Sequence, residues 1–326
     1  MNAVDHNNVV IFDDRGIPSI MCRFVRPKDT EEVPAVFKIG DKVADAIYIS
    51  KYPNIVIDGR AYSMPMADPT VNITFDGAVQ ACRCKGLGWH LMTAVEYEYL
   101  LNQSREKGTM PHGNTDWGKD YYHNDEQGKV SNLGRTYTGT GPITWNHDHT
   151  PYGVSDLNGN VWEWLAGLRI KDGVIEFIPD NKAASPYCGL SKDSAEWQQA
   201  ETSKGPVRAN VECGEITITD AVAADDYEPD YDGVRIEKLE VELSEIPQVL
   251  KDLGIIPDKR AEEEGKTYVY FDATEGEYMP HRGSAFSNTS SSGPSALNLN
   301  NPRSNSNDDL GFRSAFYEVN GKLITE

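Results

Sequence analysis

The sequence predicts an α+β domain, and three observations carry that expectation. Alternating apolar runs read as strands near both ends, AIYISKY at 46–52 and FRSAFYEV at 312–319. Two capped helical segments stand together between them, over 75–85 and 93–108. The long stretches rich in Gly, Asn, Asp and Ser carry enough aromatic residues to be ordered rather than linkers.

The N-terminal segment 1–44 reads as strand-rich, with VVIF at 9–12 and IMCRFV at 20–25 joined through a turn at Asp13, Asp14 and Gly16. Thr74 can cap a helix through FDGAVQACRCK, stopped by Gly86. Thr93 and Glu96 have the spacing of a capping box, with Met92 and Tyr97 placed as a hydrophobic staple. Tyr97, Leu100 and Leu101 form the apolar stripe of that helix, and Gly108 ends it. Residues 109–158 hold Trp117, Tyr121, Tyr122 and Trp145, so this stretch is expected to be ordered. GNVWEW at 159–164 is strand-like, with Trp162 and Trp164 on one face and Glu163 on the other. The stretch 167–278, with its runs DDYEPDYDG and EEEG, reads as an acidic insertion with one short helix over 244–253. The main domain then spans 45–326.

The 326 residues are 39% apolar, with six Trp and sixteen Tyr, so a large core can be buried. The net charge of −20 repels phosphate, which disfavours nucleic-acid partners and anionic membrane surfaces. No run approaches a membrane span and MNAVDHNNVV lacks the features of a signal peptide, so membrane insertion and general secretion are not expected. Five cysteines show no disulfide framework, and Cys82 and Cys84 read as small core residues.

Asp156 and Glu163, with carbonyls at Gly159 and Val161, could supply the mixed oxygen ligands of a structural calcium ion. Glu163 could equally be a buried carboxylate met by an Arg or by backbone amides. The acidic run 225–233 has a calcium-loop opening, but Leu239 stands where a bidentate Glu is needed. His147 and His149 lack a completing ligand, and His90, His112, His123 and His281 are isolated in sequence. No nucleophile elbow, phosphate loop, dinucleotide fingerprint or zinc-protease helix is present.

The stretch SALNLNNPRSNSNDDLGF, 295–312, lies between ordered elements. Between Arg282 and Arg313 there is no Lys and no Glu. Small polar residues of this kind give adaptable hydrogen bonding, as in antibody loops held on a rigid scaffold. Phe286, Leu297, Leu299, Leu310, Phe312 and Phe316 are expected to point inward and the residues between them outward. Arg282 and Arg313 are expected to anchor the loops.

Five stretches together resemble the formylglycine-generating-enzyme branch of the C-type lectin fold: AIYISKYP, FDGAVQACRCKG, HLMTAVEYEYL, PYGVSDLNGNVWEW and LGFRSA. Residues 282–286, RGSAF, resemble the family's RGGSW element. The resemblance implies a C-type-lectin-like fold with the acidic insertion. It does not carry the oxidase activity, because residues 287–293 are SNTSSSG where the enzymes have a cysteine pair. Neither copper nor iron is therefore expected. GWHLMTAVEYEYL, GTMPHGN and ALNLNNPRSNSNDDLGFR also resemble the variable proteins of diversity-generating retroelements, in which an adenine-directed copying error rewrites the C-terminal region. That resemblance implies a variable region at about 282–313, recognising a protein or glycan ligand on a target surface, and the absence of signal-peptide features favours a component of a virion or phage particle. The contact residues expected are Ala285, Ser287, Asn288, Thr289, Ser290, Ser292, Ser295, Asn298, Asn300, Asn301, Asn305 and Asn307. The alternatives are an oxidase of the formylglycine-generating type and a calcium-dependent sugar-binding lectin.

Overall fold

The computed structural model describes residues 6–224 and 226–323. Residues 1–5 of the expected N-terminal segment, Asp225 of the acidic run and residues 324–326 lie outside them. The elements that position the site are, in chain order, β1 (His6–Phe12), β2 (Pro18–Val25), β3 (Ala46–Ser50), α1 (Phe75–Arg83), α2 (Ala94–Lys107) and β4 (Trp162–Trp164). They continue with β5 (Leu168–Lys171), β6 (Val174–Phe177), β7 (Arg208–Glu212), β8 (Glu215–Thr219) and β9 (Tyr231–Arg235). The last are β10 (Tyr268–Asp272), β11 (Glu277–Arg282), β12 (Leu297–Pro302), β13 (Leu310–Phe312) and β14 (Ser314–Val319). The chain is mostly β with few helices, compatible with the expected lectin-like fold.

The first sheet runs β1–β2–β3–β14, so the C-terminal strand pairs beside the N-terminal three. The second runs β9–β10–β12–β11–β5–β6–β7–β8, with β4 joining β11 on one side and β13 on the other. The stretch 167–278 is thus woven into the body. β5 pairs directly with β11, and β10 pairs directly with β12. Among the described residues no acidic segment stands apart from this sheet. Part of the acidic run is itself strand, since β9 pairs with β10.

Helix α2 forms where its capping box predicts. Glu96 N–H donates to Thr93 Oγ1 at 3.2 Å, and Thr93 N–H donates to Glu96 Oε2 at 2.9 Å. Gly108 closes the helix in the left-handed region, φ 64°. Tyr97, Leu100 and Leu101 are fully buried and belong to one core with Phe24 and Ile47 of the first sheet and Leu297 and Leu299 of the second. Burying each such side chain contributes about 1.5–3 kcal/mol, so α2 rivets the two sheets together under the segment of interest.

Candidate site on the face of the second sheet

The segment after Arg282 is rooted in a buried ion network. Arg282 Nη1 donates to Glu98 Oε2 at 2.8 Å, with no solvent exposure on the Arg side chain. Arg105 bridges Glu98 and Glu264, and Ser295 Oγ donates to Glu264. Burial opposes the charge on Glu264, but Arg105 and Ser295 outweigh it and hold the carboxyl below its ordinary value. One end of the loop, at Arg282, and the other, at Ser295, are therefore tied to the same helix. Gly283 (φ 94°) and Ser284 (φ 64°) make consecutive left-handed steps there. A Cβ on Gly283 would stand 2.7 Å from the Leu157 carbonyl, which requires glycine.

From that root the loop is pinned from residues 115–122. Trp117 N–H donates to the Phe286 carbonyl at 2.8 Å, and Thr289 N–H donates to the Thr115 carbonyl at 2.9 Å. Tyr122 Oη donates to the Ser290 carbonyl at 2.9 Å. Ser287, Asn288 and Thr289 are half-buried and Ser290 is exposed. Three positions expected to face out do not. Ala285 lies in the apolar cluster with Phe286, Ala296 and Phe312, Ser292 folds back on the Thr289 carbonyl at 2.6 Å, and Ser295 sits under Glu264. The left-handed steps at 283–284 turn the stem inward before the loop emerges, so the outward set begins at Ser287.

Along β12, Leu297 and Leu299 are buried while Asn298 and Asn300 are half-buried, as the alternation requires. The side chains form an amide ladder. Asn298 Oδ1 accepts from Asn300 N–H at 2.9 Å and from Asn301 Nδ2 at 3.2 Å, and Asn301 Oδ1 accepts from Asn305 Nδ2 at 2.7 Å. Asn305 is half-buried and Asn307 exposed. Beside them stand two residues that sequence reasoning missed. Tyr270 pairs in register with Asn298, and Tyr268 stacks on Tyr270 at 5.9 Å. The signal was the YVYF alternation at 268–271, which puts both tyrosines on one face.

A cavity of about 310 Å³ opens beside the loop, lined by His112, Tyr122, His123, Lys266, Ser292 and Pro294 among others. His112 and His123 are stacked at 3.6 Å and 6°. Their carboxylate partners are Glu126, 3.0 Å from His112 Nδ1, and Asp120, 3.1 Å from His123 Nδ1. Among the described residues no group of three His, Cys, Asp or Glu side chains has the geometry to hold a metal.

The four residues considered for calcium do not fit a cation. Both Glu163 oxygens are taken by Arg313, from Nε at 2.9 Å and Nη2 at 2.6 Å. Arg313 also donates to the carbonyls of Ser50, Lys51 and Ser155 at 2.9–3.0 Å. The Gly159 carbonyl accepts from Val161 N–H at 2.9 Å. Asp156 Oδ2 accepts from Gly139 N–H at 3.0 Å, and burial pushes its carboxyl up to about 6. A guanidinium thus occupies the place of the positive charge, as the alternative reading of Glu163 allowed.

No cysteine stands within residues 287–293, and Cys82 and Cys188 share the buried apolar cluster of Ala285 and Phe286. Cys22, Cys82 and Cys188 are buried, and burial pushes the Cys22 thiol up to about 12 and Cys188 up to about 11. Cys213, which is exposed, lies between β7 and β8. Residues 287–293 carry no thiol at the place where the resembled oxidases have a cysteine pair.

A family profile described as the sulfatase-modifying factor enzyme 1-like domain matches residues 57–317. Over 105 residues the chain is 35% identical to the formylglycine-generating enzyme of Mus musculus. That match covers 30% of this chain and 27% of the mouse enzyme. Among solved structures, Treponema denticola variable protein 1 superposes with a TM-score of 0.37 at 12% identity, over 95% of this chain and 99% of that one. The Major Tropism Determinant P3c variant gives 0.34 at 12% identity, over 98% of this chain and 74% of that one.

Proposed function

The chain belongs to the sulfatase-modifying factor enzyme 1-like domain family, and from that premise we propose that it is a binding protein rather than an oxidase. Its ligand surface is the Ser- and Asn-rich face formed by residues 287–291 and 298–307, a variable region of the retroelement-diversified kind. The observation that carries the reading is the division of labour within this segment. Apart from Arg303, which is tied to Glu277 and Asp76, small uncharged side chains stand outward on a frame held by Arg282, Glu98, Arg105 and Glu264. Such a frame lets the outward residues change without disturbing the fold. The ligand is a protein or glycan on a target surface, and the particle that carries the chain is a virion or phage. No helix among the described residues is long and apolar enough to cross a membrane.

The test is the DNA around the gene. A near-copy of the segment encoding residues 285–309, differing almost only at adenines, beside a reverse-transcriptase gene, is the expected result. Absence of both would reduce the segment to an ordinary polar loop.

A further inference from the structure

Trp117 is held where a tryptophan is costly and where its ring cannot be fully buried. Asp116 and Lys119 pair across a two-residue turn, with Asp116 N–H to the Lys119 carbonyl at 2.9 Å. The central residues, Trp117 and Gly118, have φ of 46° and 113°. Two positive φ values in a two-residue hairpin turn are the signature of type I′, where Asn-Gly is the favoured pair because Asn tolerates the left-handed region. A bulky aromatic there is a backbone outlier, and such outliers gather at functional sites.

The surroundings keep the strained residue in place. Asn114, fully buried, accepts Gly118 N–H on Oδ1 at 2.6 Å and donates from Nδ2 to the Gly134 carbonyl at 2.8 Å. A Cβ on Gly134 would lie 2.5 Å from the indole Cδ1, so a missing side chain makes room for the ring. The indole meets Phe286 edge-on at 6.4 Å and 76°, yet Trp117 remains 54% exposed. Tyr122, 47% exposed, reaches the same loop at Ser290.

We infer that Trp117 and Tyr122 are constant anchors of the ligand surface, and that the ligand is a folded protein whose contact region carries positive charge. The inference rests on the binding function proposed above. Both residues lie well outside the Ser/Asn segment and hold its backbone, so they present the same rings whatever the segment becomes. Trp and Tyr dominate binding energy in protein interfaces, surrounded by adaptable Ser and Asn. Trp117 and Tyr122 stand exposed among small polar residues, the composition of surfaces that grip folded proteins. Residues 283–302 carry no charge, Arg303 is neutralised by Glu277 and Asp76, and Lys266 beside Tyr122 is the nearby cation, so it is the net charge of −20 over the whole chain that favours a basic partner.

The full chain, displayed on yeast with residues 287–290, Asn298 and Asn300 randomised, tests this in three frameworks: wild type, Trp117→Asn and Trp117→Phe. Each library is panned on lysozyme, a small basic protein, and on dextran, a neutral polysaccharide. The expected result is lysozyme binders from the wild-type framework that weaken by about tenfold or more when Trp117→Asn is introduced, with Phe partly restoring them. Trp117→Asn also keeps or raises the melting temperature, which a merely structural tryptophan would not permit. Lysozyme binders of equal strength from the Asn framework overturn the anchor, and binders to dextran alone overturn the protein partner. If no library yields a binder to either probe, the binding function itself fails.

Discussion

Arg313 and Glu163 meet through two parallel hydrogen bonds, 2.9 and 2.6 Å, with their side chains 0% and 2% exposed. The pair ties the turn before β14 to the middle of β4 and so fixes the strand on which Trp162 and Trp164 sit. Glu163→Gln leaves the Arg313 charge buried and unpaired, and urea denaturation is expected to show a loss of about 3–5 kcal/mol. Because the guanidinium already neutralises Glu163, EDTA is expected to leave the melting temperature unchanged. A drop on chelation would restore the calcium reading.

Two buried groups act on acid stability in opposite directions, alongside Glu264 and Glu277, whose lowered carboxyls add a loss at the acid end. His281, edge-on to Trp162 and Trp164 at 5.1 Å, is pushed by burial from 6.5 down to about 3. As pH falls below 6.5 the unfolded chain takes up a proton that the native His281 refuses, so stability is lost over that window down to about 3. Asp156 is raised by burial from 3.8 to about 6, so the native state holds the extra proton there and stability is lost as pH rises through that range. Between pH 4 and 6 the two slopes cancel. Asp156→Asn should unmask the His281 slope, about 1.4 kcal/mol per pH unit, in urea midpoints taken from pH 6.5 to 4. A flat profile in that variant would contradict the assignment.

Tolerance to substitution should follow burial rather than composition. Asn300→Ser and Ser290→Asn are expected to change stability by no more than about 0.5 kcal/mol. Ser295→Asn must overfill the space under Glu264, and Ala285→Asn must enter the apolar cluster. Each is expected to cost about 1–3 kcal/mol by denaturant melts. Equal tolerance at all four positions would show that the loop is not framed as described.

Oxidase activity is expected to be absent. A sulfatase-type cysteine peptide incubated with the protein and copper should remain a thiol by mass spectrometry. Conversion to the aldehyde would mean that a cysteine remote from the loop performs the reaction, and the binding reading would fall.

What was legible in the sequence is local. The Thr93–Glu96 box and the Gly108 stop need only their own helix, and Leu297-Asn-Leu299 reads directly as in and out. What was not legible depends on contacts between distant residues. Arg282 reaches Glu98 across 184 positions, and His112 lies flat on His123 only because residues 109–123 double back. Ala285 and Ser295 looked like their neighbours because the left-handed steps at Gly283 and Ser284 are invisible in composition. Trp117 looked like an ordinary ordered aromatic because Asp-Trp-Gly-Lys does not advertise a turn that normally prefers Asn.

The most direct measurement is to sequence this gene from many members of a single population. The account predicts substitutions concentrated at the outward codons of residues 287–290, 298, 300, 301, 305 and 307, at their adenines. Ala285, Ser295, Leu297, Leu299 and Arg313 should stay unchanged. A population in which these outward codons vary no more than those of the buried frame would contradict it.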